Sequence, residues 1–337
     1  MLFGLWRFYL ARGDIATAQE LANQLLAAAE RQADERLTTP AHVTCGVPFF
    51  YKGELEAARR HLERAIVCYR SEHSTAQTLA YGQDLGVAAV CFLAWTLALQ
   101  GYRDQAAEAA VRGLEEARAT SHPFTLALAL HLNGMVRHLR GELQMVGEIG
   151  KEELALAREQ QFPFFFAGGS GFCGLTLTAA EGETEQGLEL MREGARVYRA
   201  SGMKLGSAHL AHLGAALVTA QHADEALAVL TEARAWSPGG EERAYRAEFA
   251  RIEGEALLGR ATPDEKGAGA CFEEAIALAR AQGARVFELW AVTSLARLWR
   301  RQGRTASACD RLARTIEWFT EGLDLADLHA ARSLLGG

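Results

Sequence analysis

The sequence predicts an all-α protein: a right-handed superhelical solenoid of about eight helix–turn–helix units, closed by a C-terminal capping helix. Three observations lead there. Short segments ending in glycine recur with a period of about 40 residues along the 337-residue chain. Small side chains keep fixed distances from those glycines. Apolar residues fall at three- and four-residue intervals with strong helix formers between them, and no convincing alternation of period two appears.

The turn positions are Gly13, Gly53, Gly101, Gly141, Gly182, Gly259 and Gly303, with Gln221 of "VTAQHADEA" standing where the remaining glycine is due. Five residues after a turn come Ala18, Ala58, Ala106, Gly187, Ala226 and Ala308, with Val146 the exception. Twelve after it come Ala65, Gly113, Gly194 and Ala233, and seven before it Gly46, Ala94, Gly134, Gly214 and Ala296. Two antiparallel helices joined by a tight turn approach closely only where a side chain is nearly absent, and the turn glycine supplies the backbone freedom. Each unit is therefore a helix, a turn and a helix, in one solenoid domain spanning residues 1–337. This set of small positions resembles the tetratricopeptide repeat, with longer helices and connectors than that repeat usually has.

Taken in order, the first unit runs through "YLARG" into "ELANQLLAAAERQ". The second carries Pro48 inside its first helix, which predicts a kink or a short first turn there. Pro40, Pro123, Pro163, Pro238 and Pro263 fall at or near connectors, where helix boundaries belong. The third unit closes on "LALQG" and continues in "AAVRGLEEARA"; the fourth and fifth begin with "HPFTLALALHLNG" and "FPFFFAGGSGFCG". The sixth ends in "EALAVLTEARA", the seventh in "CFEEAIALARAQ", and the eighth turns at "WRRQG". An amphipathic cap over residues 322–335 follows "TEGLD" and shields the last apolar face.

Gly169, Gly171 and Gly174 have the G-x-G-x-x-G spacing of a dinucleotide-binding turn, and Glu189 lies where a ribose-binding acid would. The repeat decides against that reading. Pro123 and Pro163 occupy equivalent places in successive units, as do Gly134 and Gly174, so Gly174 is a helix-contact glycine. With Gly168 these residues make a helix that is weak on its own, since each glycine costs roughly 0.8–1 kcal/mol relative to alanine, and the segment is a candidate bend. "GEIGKEE" at 147–153 imitates a phosphate loop, but only two residues separate its glycines and Glu152 follows Lys151 where Ser or Thr is needed.

Net charge is −7 and lysine is scarce, so no basic field exists to attract nucleic acid or anionic lipid. The six cysteines form no C-x-x-C pair and sit mostly in apolar helical runs, which indicates a reducing compartment. Arg7 interrupts the apolar N-terminus, no cleavage site follows, and no stretch reaches the length of a membrane span, so a cytoplasmic location is expected.

No catalytic constellation, metal site or cofactor motif emerges. His209 and His212 are three apart and His131 and His138 seven apart, yet no ligand partner stands near either pair in sequence. The inner face of a repeat array is lined by the first helix of each unit, at thirteen, ten, six and three residues before the turn. Those positions give Trp95, His131, Met135, His138, Arg246, Phe249, Glu253, Trp290, Thr293, Arg297 and Arg300 as ligand- or peptide-binding candidates. The aromatic and arginine residues toward the C-terminus form a candidate site for a peptide or acidic ligand.

"YGQDLGVAAVCFLAWTLALQGYRDQA" (81–106), "MREGARVYRASGMKLG" (191–206), "FELWAVTSLARLWRRQGR" (287–304) and "WFTEGLDLADLHAARSLL" (318–335) resemble one family of repeats. They are similar to the C-terminal tetratricopeptide region of large bacterial signalling proteins, which carry a class III adenylate or guanylate cyclase domain, an AAA-type (STAND) ATPase, and then repeats. The cyclase metal-binding aspartates and the ATPase phosphate loop have no counterpart here. Leu85, where relatives tend to have proline, Gln221 and the glycine-rich fifth unit depart from the pattern. The resemblance implies a non-enzymatic interaction and sensing module for a peptide, a partner protein, or the cyclase and ATPase domains of its own longer chain. A small-molecule sensor is the alternative and predicts a closed, partly apolar pocket. An enzyme assembled from distant units predicts a buried, pKa-shifted carboxylate or histidine among His131, His138, His209 and His212.

Overall fold

In the computed structural model, which describes residues 2–32, 35–236 and 241–335, eight helix pairs follow one another as the glycine spacing requires. They are α1 (Leu2–Ala11) with α2 (Ile15–Gln32), α3 (Glu35–Tyr51) with α4 (Leu55–Cys68), α6 (Leu85–Gln100) with α7 (Arg103–Thr120), and α8 (Pro123–Leu139) with α9 (Leu143–Gln160). Then come α10 (Pro163–Thr178) with α11 (Thr184–Ala200), α12 (Ala208–Thr219) with α13 (Ala223–Trp236), α14 (Arg246–Leu258) with α15 (Glu265–Gln282), and α16 (Arg285–Arg301) with α17 (Thr305–Ile316). A short helix α5 (Ser74–Tyr81) is inserted after the second pair, and α18 (Ala326–Ser333) caps the last, burying Leu328 and Ala331. The fold is an all-α solenoid with no strand among the described residues.

Seven of the eight turns take the left-handed conformation that ends a helix without a cost in Cβ contacts. Gln221 adopts it too, at φ 65°, beside Gly182 at 80° and Gly303 at 76°. The exception is Gly259, which stays right-handed at φ −82° because a longer connector, ending in the Asp264 cap of α15, makes the reversal.

One of the two prolines of α3 departs from expectation. Pro40 lies well inside the helix rather than at its connector, and α3 runs on through Pro48 to Tyr51. A proline inside a helix leaves the carbonyl four residues earlier without its donor. Thr44, the residue concerned for Pro48, receives the Trp6 indole N–H on its carbonyl at 3.0 Å, so α1 supplies the missing bond. Pro238 lies outside the described residues.

The fifth unit shows why its glycines are there. A Cβ on Gly174 would strike Met191 and lie 2.8 Å from the Gly187 carbonyl, and one on Gly187 would lie 2.7 Å from the Gly174 carbonyl, so α10 and α11 touch backbone to backbone. Gly169 faces the Leu154 backbone of α9 at 2.7 Å in the same way. The whole G-x-G-x-x-G stretch is inside α10, and "GEIGKEE" is inside α9, so neither is a phosphate-binding loop.

A seam closes the superhelix. The turn of the first unit meets the connector between units five and six, where the Lys204 N–H donates to the Ala11 carbonyl at 2.8 Å. Likewise the second turn meets the connector between units six and seven: the N–H groups of Arg243 and Ala244 both donate to the Tyr51 carbonyl, at 2.7 and 3.1 Å. The third turn meets the C-terminal segment, where Gly101 lies against Trp318 and Phe319, and Arg103 grips Asp327 with two bonds of 2.7 and 2.6 Å. Each early turn therefore contacts chain about five units later, which draws the ends of the inner face together. No helix among the described residues is long and apolar enough to cross a membrane.

Candidate functional site

The inner space is hollow beside the first five units. A cavity of about 300 Å³ is walled by Trp6, Arg7, Leu10 and Ala11 of α1, Val43, Val47 and Tyr51 of α3, and Ala88 and Phe92 of α6. Phe124 and Leu128 of α8, Phe162 with Pro163, Phe164 and Phe165 at the start of α10, and Met203 and Leu205 of the next connector complete the wall. The aromatic residues are delivered by helix starts. Pro123 and Pro163 each open a helix, at a position where the absent N–H would be unpaired anyway, and the phenylalanines that follow point inward together. Phe124 packs edge-on to Phe162 and Phe165, with ring centres 5.8 and 5.4 Å apart.

The connector at 201–207 crosses this cavity as a strap. On one side Ala11 holds it through Lys204; on the other the buried Glu242 carboxylate accepts from the N–H groups of Gly206 and Ser207 at 3.1 and 3.0 Å. Burial raises the Glu242 pKa to about 7, against the pull of those donors. Gly206, at φ 97°, passes beneath the Phe164 ring.

Behind Phe164 and Phe165 lies a buried histidine core that the inner-face positions partly identify. His131 Nδ1 is 3.0 Å from Glu153 Oε1, and both side chains are essentially inaccessible. His131 packs against His209, with ring centres 5.1 Å apart, and His138 against His212 at 4.4 Å. Burial lowers His131 to about 3 and His138 to about 4, the latter helped by Arg251, and holds His209 and His212 well below the ordinary histidine value. Burial also drives the Glu153 carboxyl well above its ordinary value, so burial opposes charge on both partners of this pair. Gly168 makes room for it: a Cβ there would stand 2.5 Å from Glu153 Oε1 and 2.6 Å from His131 Nδ1. Among the described residues no group of three or more His, Cys, Asp or Glu side chains is arranged to hold a metal ion.

The other inner-face candidates do not converge on one open surface. Trp95, Met135 and Phe249 are buried in the core, and Trp95 donates to the Tyr245 hydroxyl at 3.3 Å. The Trp290 indole donates to Asp327 at 2.8 Å and Arg300 to the Leu334 carbonyl at 2.7 Å, so both hold the C-terminal cap. Thr293 bonds back to Leu289 in its own helix, Glu253 pairs with Arg234, Arg246 is half-buried, and Arg297 is exposed. The structure brings together His131, His138 and Trp290, and separates them from the cavity proper by the α10 aromatics. Of the cavity residues, Arg7, Leu10, Val43, Val47, Ala88 and Leu128 lie on the four inner-face offsets, whereas Trp6, Phe92, Phe124 and Phe164 lie off them. The available signal was the aromatic residue after each helix-opening proline, at Phe124 and Phe164.

A second, more polar hollow of about 530 Å³ lies between α5 and the start of α6. Both of its carboxylates are engaged: Asp84 caps α6 and accepts hydrogen bonds from the hydroxyls of Tyr69 and Ser74, and Glu116 pairs with Arg112 at 3.8 Å.

No family model matches the chain, and no curated protein matches it. Solved structures do. A Rap protein in complex with competence and sporulation factor superposes with a TM-score of 0.57 at 11% identity, over 99% of this chain and 97% of that one. The apo form of RapI gives 0.53 at 13% identity, over 88% of this chain and 98% of that one. The likeness is one of fold. At this level of identity it extends to the order and packing of helical repeats along nearly the whole chain.

Proposed function

We propose that this chain is a regulatory interaction module that takes an apolar segment of a peptide or partner protein into its inner cavity. The observation that carries this reading is the composition of the wall. First helices of five successive units and the connector into the sixth share one cavity, so an occupant touches five units and that connector at once. A small change in the angle between units then alters the seam, where the early turns meet chain about five units later. The Rap protein of the same fold, captured with competence and sporulation factor, supports a binding role for such an array. The resemblance of the sequence to repeat tails of cyclase and ATPase proteins adds those catalytic domains as candidate partners. We assign no reaction, nucleic acid, membrane or cofactor to the module, and place it in the cytoplasm, which suits its six free thiols.

A second reading, a sensor of a small apolar molecule, is favoured by one feature: the cavity is apolar, and about 300 Å³ falls at the lower end of small-ligand sites. Anilinonaphthalene sulfonate tests the site, and peptides selected on phage against the chain test the occupant. The expected result is a probe that brightens on binding, is displaced by the selected peptides, and fails to bind when Leu128→Trp fills the cavity. Peptides that bind without displacing the probe, and bind the filled variant equally well, would place the interaction elsewhere.

A further inference from the structure

We infer that the occupant of the inner cavity ends in a carboxylate: it is an apolar acid, or the apolar C-terminal residue of a peptide, whose carboxylate pairs with Arg7 and hydrogen-bonds Gln83. This rests on the cavity being the binding site. Two observations, independent of the apolar wall, point to the headgroup.

The first is charge. Arg7 is the only charged side chain lining the cavity, and no acidic side chain among the described residues pairs with it. Its guanidinium lies over the Phe124 ring at 4.6 Å and makes one long bond, 3.4 Å, to the Tyr81 carbonyl. Gly82 keeps the space beside it clear, since a Cβ there would approach Arg7 Nη1 to 3.2 Å. A guanidinium held on an aromatic face with most of its N–H donors unspent presents a fork that fits a carboxylate.

The second is an unpartnered amide. Gln83 is only 8% exposed, lines the same cavity, and makes no side-chain hydrogen bond to any described residue. Its amide atoms keep some solvent contact, so the group can exchange a water for a ligand oxygen. Gln83 follows Gly82 in the turn that also holds Tyr81, so one short segment between α5 and α6 sets both polar groups at one side of an apolar chamber. The chamber holds the volume of roughly ten waters at about 30 Å³ each, enough for one aromatic side chain or a medium-length acyl chain and too little for a folded element.

Binding is read from the fluorescence of Trp6 in the cavity wall and by calorimetry. The probes are decanoate, N-acetylphenylalanine with its amide, and N-acetyl-Ala-Ala-Phe with its C-terminal amide. The acid of at least one pair binds about tenfold or more tighter than its amide, a ratio that reflects a charge-assisted hydrogen bond. Arg7→Gln abolishes that ratio by weakening the acid far more than the amide, and Gln83→Leu weakens the acid severalfold. Tight binding of decanoate or N-acetylphenylalanine identifies a free acid, and preference for the tripeptide identifies a peptide end. Equal affinity of acid and amide, a ratio that survives Arg7→Gln, or no binding by any probe overturns the inference. Equal affinities that Leu128→Trp abolishes would leave the cavity as the binding site and remove only the headgroup. Undiminished binding to Leu128→Trp would remove both.

Discussion

Beside units one to five the interior is apolar and hollow, whereas beside units seven and eight it is ionic and filled. In the first region Trp6, Val47, Phe92, Leu128 and Phe164 surround an empty chamber. In the second, Arg251 pairs with Glu248, Ser294 bonds Glu255, and Trp290 and Arg300 hold the C-terminal cap. Both regions use the same turn and the same small residues between helices. The repeat template thus sets how helices pair, and the side chains on the inner face decide separately whether the space they enclose is a plug or a pocket.

The largest effect is expected from breaking the template itself. Gly174→Leu drives a side chain into the Gly187 carbonyl and Met191, and should cost more than about 4 kcal/mol in chemical denaturation. Gly171→Ala, three residues away with nothing within 4 Å of its added methyl, should instead gain up to about 1 kcal/mol from helix propensity. Opposite signs within one helix would show that close contact, and not a hinge, accounts for the glycines.

Next comes the filled region. Asp327→Ala leaves the guanidinium of Arg103, which is 1% exposed, without its partner and also removes the acceptor for Trp290. A loss of about 3 kcal/mol is expected, with faster amide exchange at residues 318–335. An unchanged exchange pattern would mean that the third turn does not hold the C-terminal segment.

The histidine core between the two regions makes stability pH-dependent. Histidine pKa values lowered in the fold mean that the unfolded chain binds more protons below about 6.5, so their contribution is lost as pH falls from there toward 4. His131, His138, His209 and His212 act this way, as do His42, lowered to about 4, and His61. Glu153, Glu242 and Glu116, raised by burial, oppose them, since each retains a proton in the fold that the unfolded chain has shed above about 4.5. Six against three leaves a net loss, expected as a melting temperature that drops by several degrees over that interval. Replacing His138 and His212 together with phenylalanine should flatten the slope.

The smallest effect tests the turn. Gln221→Gly should gain up to about 1 kcal/mol by relieving the left-handed strain at φ 65°, while Gly182→Val should lose at least as much.

The helical units were legible because their signals are local and periodic: turn glycines, small contact residues and helix-length apolar patterns, strong enough to place Gln221 correctly without its glycine. Pro40 was misplaced at a connector, whereas Pro48 was placed inside its helix, where a distant donor, Trp6, serves the orphaned Thr44 carbonyl. The seam and the cavity were not legible. They depend on the angle between successive units summed over about five of them, and no single stretch of sequence encodes that sum. Inner-face offsets consequently reach the histidine core, the cap contacts and part of the chamber wall, at Val43, Val47, Ala88 and Leu128, while its aromatic residues at the starts of α8 and α10 and its connector residues lie off them.

Hydrogen exchange measured by mass spectrometry, with the chain free and saturated by the tightest-binding probe, tests the central claim most directly. The account predicts protection of α1, the start of α10 and the 201–207 connector together, with a change at the Tyr51 and Arg243 seam. Protection confined to the outer helices, or to the polar hollow beside α5, would contradict it.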